Sequence, residues 1–272
     1  MIEILEYAKP DSVADAYALL SSRKDAAVIG GGTFIRLTAK KIGLAVDLSR
    51  SGLDFIRETG STFEIGAMTT LRSLETDAQL NLNYGHIFAN AVGRIVGVQF
   101  RNLATVGGTV FGRYAFSDLI TALLALECTV VLHQAGEMPL AGFLTSPRTG
   151  HEILEKICLS KTAPKTAYQA FRGTAGSLPL LTAAVSAKPD GFRIALGARP
   201  GQPVLAPDAM AYLQSQIIGK DKQAIDKGAI AVQAALRAAA ETQFGDDRRA
   251  SGAYRRLLAQ ALVERAILEV LE

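Results

Sequence analysis

The chain has 272 residues, of which 49% are hydrophobic, and this is enough for two compact domains with substantial cores. Its net charge of +3 gives no electrostatic argument for nucleic-acid binding. Four arginines near the C-terminal end, at positions 248, 249, 255 and 256, are interpreted as a solvated helix face rather than a binding patch.

Cysteine and histidine usage argues against metal centres within this chain. Cys128 and Cys158 stand in apolar sequence and are expected to be buried strand thiols. Two thiolates are too few for an iron–sulfur cluster, which takes ~4. His86, His133 and His151 are isolated from one another in sequence, so no metal site is predicted.

The N-terminal segment is acidic where a secretory signal would be basic. No apolar run approaches the ~20 residues of a membrane span. We therefore expect a soluble cytoplasmic protein with no membrane span.

Hydrophobic periodicity and capping residues predict the elements of the first 160 residues. A helix starts at Pro10-Asp11-Ser12 and another helix follows Thr70 through Leu71 and Leu74. Further helices are predicted at 34–41, 84–94 and 119–126, and strands at 26–29, 44–48, 62–67, 128–133 and 153–159.

A linker is predicted at 160–165, around Pro164. Beyond it, strands at 167–172, 180–186 and 192–198 precede helices near 207–216, 221–241 and 251–271. A block of strands followed by a block of helices indicates an α+β second domain.

The first glycine turn reads Val28-Ile29-Gly30-Gly31-Gly32-Thr33 and follows the strand at 26–29. Glycines allow successive backbone N–H groups to face an anion, and the threonine adds a hydroxyl. The alternative is a strand-to-helix connection that needs a positive φ. The G-x-G-x-x-G fingerprint fails because position 35 is isoleucine, and no Gly-Lys-Ser/Thr follows.

The second glycine turn lies in the stretch from Arg101 to Thr109, which offers a cation, an amide, two hydroxyls and Gly107-Gly108. Two such turns predict a ligand with two phosphates, or one long ligand lying across both. Downstream, Asp118 is either a helix N-cap or a carboxylate that accepts a hydrogen bond from a ribityl or ribose hydroxyl. Because no nucleophile or acid–base group is evident, no catalytic residue is predicted, and a cofactor would carry any chemistry.

Five motifs in fixed order, the first glycine turn among them, make the chain similar to a known family. Besides the first turn they are Ile65-Gly66-Ala67-Met68-Thr69-Thr70, Arg101 to Gly108, Asp118-Leu119, and Arg249-Ala250-Ser251-Gly252-Ala253-Tyr254-Arg255. The chain resembles the FAD-binding medium subunit of the molybdenum hydroxylases, the xanthine dehydrogenase and carbon monoxide dehydrogenase group.

The resemblance implies an α+β fold: a two-subdomain FAD-binding domain of the type shared with vanillyl-alcohol oxidase-like flavoproteins, then a smaller α+β domain. The FAD-binding domain is expected at 1–160, with subdomains at about 1–55 and 56–160, and the C-terminal domain at 165–272. In the family both glycine turns contact the FAD diphosphate through backbone N–H groups, and the aspartate lies near the cofactor's hydroxyls. The implied FAD-binding residues are Ile29, Gly30, Gly31, Gly32, Thr33, Phe34, Ile35, Asn102, Thr105, Gly107, Gly108, Thr109, Ser117, Asp118 and Gln169.

The resemblance also implies an electron-transfer role with two partners, a 2Fe–2S subunit and a molybdopterin-binding subunit, and NAD or another final acceptor. The chain departs from the family at Phe34, at Thr109 and around Arg172, where neither Gln169 nor Ala170 is the lysine often found. These departures motivate an alternative, a non-catalytic assembly or regulatory subunit with a weakened flavin site.

Overall fold

The computed structural model describes residues 2–148, 151–221 and 225–272. Within these ranges the strands are β1 (Glu3–Ala8), β2 (Ala26–Ile29), β3 (Lys41–Asp47), β4 (Ile56–Thr59), β5 (Thr62–Gly66), β6 (Thr129–Leu132), β7 (Gly136–Pro139), β8 (Leu154–Ser160), β9 (Lys165–Phe171), β10 (Leu181–Lys188), β11 (Gly191–Gly197) and β12 (Val204–Leu205). The α-helices are α1 (Val13–Ser22), α2 (Leu71–Thr76), α3 (Ala78–Asn83), α4 (Ile87–Val92), α5 (Val98–Arg101), α6 (Val106–Gly112), α7 (Asp118–Ala125), α8 (Leu140–Thr145), α9 (Pro207–Ile217), α10 (Lys227–Glu241) and α11 (Gly252–Leu271).

The first compact unit comprises Met1–Leu74, Gly97–Gly112 and Cys128–Lys161. It holds a parallel sheet in the order β1-β3-β2 and a five-stranded antiparallel sheet in the order β4-β5-β8-β6-β7. Ser12 caps α1 by accepting a hydrogen bond from the Asp15 N–H. The first glycine turn leaves the sheet at the carboxyl end of β2.

The second compact unit comprises Glu75–Val96, Arg113–Glu127 and Thr162–Glu272. Its antiparallel sheet has the order β12-β11-β10-β9, with α7 on one face and the apolar cluster of α9, α10 and α11 on the other. Alternation along β10 explains the two faces. Leu181, Ala183 and Val185 join the helix cluster, whereas the Ser186 hydroxyl donates to the Ala125 carbonyl at the end of α7, at 2.6 Å.

The predicted α+β fold is confirmed, and the strands and helices of residues 165–271 lie close to their predicted bounds. The predicted helix at 221–241 is observed as α10, which begins at Lys227 after the N-cap Asp226. Residues 222–224 of that prediction lie outside the described residues.

Two predicted helices are wrong. The chain does not form one helix over 84–94, because Gly85 and His86 have φ values of 58° and 62°, which a helix does not accommodate. Two short helices, α3 and α4, stand on either side of this break. Residues 34–41 form only a 3-10 turn at Ile35–Leu37, and β3 already begins at Lys41.

The two cysteines are free thiols, Cys128 buried and Cys158 half-buried in β8. Burial raises the pKa of both thiols. The division at 160–165 stays a prediction, since the second unit also takes residues 75–96 and 113–127.

No α-helix in the described part of the chain is both long and apolar enough to cross a bilayer.

Candidate functional site

The first glycine turn lies directly against the backbone that precedes α6. A Cβ atom added to Gly31 would lie 1.5 Å from the carbonyl oxygen of Leu103, and one on Gly30 would lie 2.7 Å from the Thr105 Oγ1. Gly32 has a φ of +67°, which L side chains rarely adopt. The two glycine segments that the sequence suggested as a pair are therefore neighbours in space.

The amides of this turn are unpaired within the protein. Among the described residues, none accepts a hydrogen bond from the N–H groups of Gly31, Gly32 or Thr33. The Thr33 side chain is buried, and its hydroxyl has no partner in the described part of the chain. Three successive free N–H groups, beside positions where a Cβ has no room, can hold an anionic group at close range.

The second glycine segment is not a turn, and that prediction is wrong. Gly107 and Gly108 lie in the first turn of α6, and their amides are already paired. The Gly107 N–H donates to the Ala67 carbonyl at 2.7 Å, and the Gly108 N–H donates to the Thr105 Oγ1 at 3.1 Å. A Cβ on Gly107 would lie 2.7 Å from both the Cβ and the carbonyl oxygen of Ala67, so this glycine serves close packing.

The other side chains predicted to bind FAD in this unit differ in whether they already have a partner within the protein. Asn102 is exposed and its side chain has no partner among the described residues. The Thr109 hydroxyl donates to the Thr105 carbonyl at 3.0 Å. Phe34 packs edge-on against Phe100, with ring centroids 6.0 Å apart. The remaining predicted positions flank the turn at the last residue of β2 and the first of the 3-10 turn, Ile29 and Ile35.

Asp118 belongs to the second unit, and its interpretation as an N-cap is wrong. Ser117 is the cap, because its Oγ accepts the Ile120 N–H at 3.1 Å, and Asp118 is the first helical residue of α7. The buried Asp118 Oδ1 accepts hydrogen bonds from the Tyr168 hydroxyl, at 2.5 Å, and from Arg172.

Burial raises the pKa of Asp118 to about 6, although the positive charge of Arg172 and the hydrogen bonds from Tyr168 and Arg172 act in the opposite direction. The carboxylate is therefore ionised at neutral pH and protonates in mildly acidic solution. Burial and the neighbouring Asp118 raise the pKa of the Tyr168 hydroxyl, so it remains a donor.

Sequence reasoning missed Tyr168 as a partner of Asp118, although alternation along β9 could have found it. Tyr168 and Arg172 both reach Asp118 on α7, whereas Ala167 belongs to the opposite, helix-covered face. Gln169 follows Ala167: its side-chain amide donates to Glu269 of α11 at 2.8 Å. The structure thus does not bring Gln169 to Asp118.

The C-terminal arginines correct another prediction. Arg256 is exposed on α11, as a solvated helix face requires, whereas Arg248 is exposed in a turn that precedes α11. Arg255 is completely buried, and its guanidinium contacts backbone carbonyls and Asp247. Arg249 contacts Asp247 and the carbonyl of Pro179. Of the four arginines, Arg255 is therefore internal, and Arg249 is exposed but bound to its own chain.

Comparison with known proteins identifies two families along the chain. Residues 3–161 match the FAD binding domain in molybdopterin dehydrogenase, and residues 166–270 match the CO dehydrogenase flavoprotein C-terminal domain.

Several relatives match over nearly their whole lengths. The carbon monoxide dehydrogenase medium chain of Hydrogenophaga pseudoflava is 30% identical, over 96% of this chain and 95% of its own. The nicotine 6-hydroxylase medium subunit of Paenarthrobacter nicotinovorans is 25% identical, over 97% and 96%. The structure of the Hydrogenophaga pseudoflava carbon monoxide dehydrogenase that lacks the Mo-pyranopterin moiety superposes with a TM-score of 0.85 at 26% identity, covering 99% of this chain and 98% of the other.

The family match covers more than half of the chain, and the fold and the motif order agree with it. The chain belongs to the FAD-binding medium subunits of the molybdenum hydroxylase family, the flavoprotein components of dehydrogenase complexes.

Proposed function

We propose that this subunit passes electrons from iron–sulfur clusters on a partner chain, through FAD, to NAD or another acceptor. Two partners are proposed, a 2Fe–2S subunit and a molybdopterin-binding subunit. The relatives' names support a multi-chain assembly, since they are a medium chain and a medium subunit. Cys128 and Cys158, the chain's two cysteines, are too few to ligate a cluster here. The free thiols support a cytoplasmic location, where disulfides are rare.

The observation that carries the proposal is the run of unpaired amides at Gly31, Gly32 and Thr33. These groups would hold the FAD diphosphate, because successive N–H dipoles bind phosphate oxygens without a counter-charged side chain. Thr33 and Asn102 would add a hydroxyl and an amide that are otherwise without partners in the described structure.

Asp118 would accept a hydrogen bond from a hydroxyl of the cofactor. Its carboxylate is ionised at neutral pH, and a charged acceptor makes a stronger hydrogen bond than a neutral one. When bound, FAD supplies the electron-carrying chemistry, and the residues of this chain bind and orient it.

Some of the remaining predicted contacts would require rearrangement. FAD could use the amides of Gly107 and Gly108 only by replacing the hydrogen bonds that they already donate. The side chains of Ser117, Thr109 and Gln169 each make one hydrogen bond within the protein and keep further donor or acceptor capacity. They stay in the proposal as secondary contacts, after the three free amides and Asp118.

The alternative is an assembly subunit that has lost flavin. The packing of Phe34 against Phe100 favours it, because Phe34 directly follows the free amides and is one of the positions at which the chain departs from the family it resembles. The two functions differ in whether the chain takes up FAD.

The full chain, expressed alone, should acquire flavin absorption bands on incubation with FAD, and equilibrium dialysis should give one FAD per chain. We expect Asp118→Asn to weaken this binding and Asp190→Asn, an exposed aspartate, to leave it unchanged. A well-folded chain that takes up no flavin would support the assembly role. Affinity purification should recover an iron–sulfur subunit and a molybdopterin subunit; their absence would contradict the electron route.

A further inference from the structure

Three arginines bind the carbonyls of four consecutive residues in the connection between β9 and β10. Arg172 Nη1 donates to the Ser177 carbonyl at 2.8 Å. Arg249 Nη1 donates to the carbonyls of residues 178 and 179, at 3.5 and 3.2 Å. Arg255 Nε donates to the carbonyl of residue 180 at 3.0 Å. We call this arrangement, Arg172, Arg249 and Arg255 on residues 177–180, the arginine clamp.

Asp247 fixes two members of the clamp. Its Oδ2 lies 2.9 Å from Arg249 Nη2, and its Oδ1 lies 2.7 Å from Arg255 Nη2. Burial acts to raise the pKa of Asp247, but hydrogen bonds from Arg255 and Arg249 outweigh it and hold that pKa well below its usual range. Arg255 also donates to the carbonyls of Gly245 and Ala250, at 2.8 and 2.7 Å. The arrangement therefore keeps its charges paired at all ordinary pH values.

The rest of the Arg-x-Ser-x-x-Tyr-Arg motif closes around the end of β9. Ser251 caps α11 by accepting the Tyr254 N–H at 3.2 Å. The Tyr254 ring packs edge-on against Phe171, the last residue of β9, with centroids 6.3 Å apart. The two arginines of the motif thus bind residues 178–180, Tyr254 packs on the end of β9, and Ser251 caps the helix that carries Tyr254 and Arg255.

Arg172 joins the clamp to Asp118. Its Nη1 holds Ser177, and its Nη2 holds the Asp118 carboxylate. One guanidinium therefore spans both groups, and a planar fork cannot shift at one end without moving at the other. The Arg172 Nε is buried and has no partner in the described structure, so these two contacts fix the side chain.

We propose that Arg249 and Arg255, with Asp247, are positioning residues that hold Arg172 on Asp118. For its effect on FAD the proposal rests on the proposed function, in which Asp118 binds the cofactor. Its structural part, the link from Arg249 to Asp118, stands without FAD. The family motif near the C-terminus would then help to position Arg172 against the Asp118 carboxylate, and it would do so through the backbone of residues 177–180.

The test compares Arg249→Gln with Arg248→Gln in the full chain. Both remove one positive charge, but Arg248 is exposed and makes no side-chain hydrogen bond or ion pair in the described structure. Hydrogen exchange of residues 173–180 reports the clamp. Carboxyl NMR in the absence of FAD, assigned with Asp118→Asn, reports the titration of Asp118. Among the described residues, the ionisable groups that face Asp118 are Tyr168 of β9 and Arg172, which directly follows β9.

We expect Arg249→Gln to accelerate exchange in 173–180 and to raise the pKa of Asp118 above its wild-type value, because a displaced Arg172 offsets the effect of burial less. The dissociation constant for FAD should rise on the order of 10-fold, equivalent to about 1.4 kcal/mol. Arg248→Gln should change none of the three. Arg249→Lys, which keeps the charge but not the fork, should fall between them, and it replaces Arg249→Gln if that variant does not fold.

Faster exchange with an unchanged Asp118 titration would overturn the proposal, since the clamp would then hold only its own loop. An unchanged FAD affinity beside a shifted titration would also overturn the link to the cofactor. Failure of the wild-type chain to bind FAD would sink the proposed function instead, and the titration would still decide the link from Arg249 to Asp118.

Discussion

The two glycine segments share the letters Gly-Gly-Thr and differ in what their backbones do. Gly31 and Gly32 follow a strand, and their N–H groups are without acceptors among the described residues. Gly107 and Gly108 open α6, and their N–H groups are bound by Ala67 and Thr105. The first segment presents amides to a ligand, whereas the second brings a helix close to its neighbours.

The comparison shows that a missing Cβ has two separate uses. In the first segment it lets the chain adopt a positive φ and lie on Leu103, leaving the amides free. In the second it allows helix α6 to touch Ala67. Glycine substitutions in the first segment should therefore reduce FAD affinity, whereas those in the second should mainly reduce stability.

Gly31→Ala should have the largest effect. The new Cβ would lie 1.5 Å from the Leu103 carbonyl oxygen, so the turn must move off the segment before α6. We expect a loss of about 3 kcal/mol of unfolding free energy, at the upper end for overpacking, together with loss of FAD binding. Urea unfolding and FAD titration measure the two quantities. Near-wild-type FAD affinity would contradict the assignment of these amides to the cofactor.

Gly107→Ala should lower stability but reduce FAD affinity less than Gly31→Ala does. Its Cβ would meet the Ala67 Cβ and carbonyl at 2.7 Å, which costs about 2 kcal/mol by overpacking. Gly142→Ala is the matched control, because that helical glycine has open space around it and alanine gains up to about 1 kcal/mol there. A variant that keeps its stability and loses FAD would reverse the roles of the two segments.

The sequence was sufficient to predict elements whose signals are local. Ser12, Ser117 and Ser251 each precede a helix and each acts as its N-cap. The break at Gly85 and His86 was missed because a histidine with a positive φ has no sequence signature. The second glycine segment was misread because its neighbour, Ala67, is about forty residues away.

The candidate site shows the same division. The free amides at Gly31–Thr33 were predictable, since glycines after a buried strand are a local pattern. The partners of Asp118 were not, because Tyr168 and Arg172 reach it only when the sheet that contains β9 packs on α7. The burial of Arg255 was equally hidden, since an arginine in a helix is usually solvated.

Gly32→Ala should have a smaller effect than either substitution above. The position has a φ of +67° but no atom nearer than 4.0 Å to a new Cβ, so only backbone strain of about 1–2 kcal/mol arises. Gly136→Ala carries the same strain at φ +70° in open space. The two should lose similar unfolding free energy, whereas only Gly32→Ala should weaken FAD binding. Equal FAD affinities in the two variants would contradict the assignment of Gly32 to the FAD site.

Thr105→Val should have the smallest effect and separates the two segments most finely. Thr105 Oγ1 caps α6 by accepting the Gly108 N–H, and it also lies where a Cβ on Gly30 would fall. Valine keeps the side-chain volume and removes the hydrogen-bond acceptor. We therefore expect the free energy of unfolding to fall by about 1 kcal/mol and the Gly108 N–H to be left unpaired. Thr105→Ser retains the acceptor and should recover most of the loss in thermal unfolding. If FAD raises the thermal stability of the valine variant more than that of wild type, the freed Gly108 N–H has become a contact to the ligand. The second segment would then differ from the first only because the Thr105 side chain caps its helix.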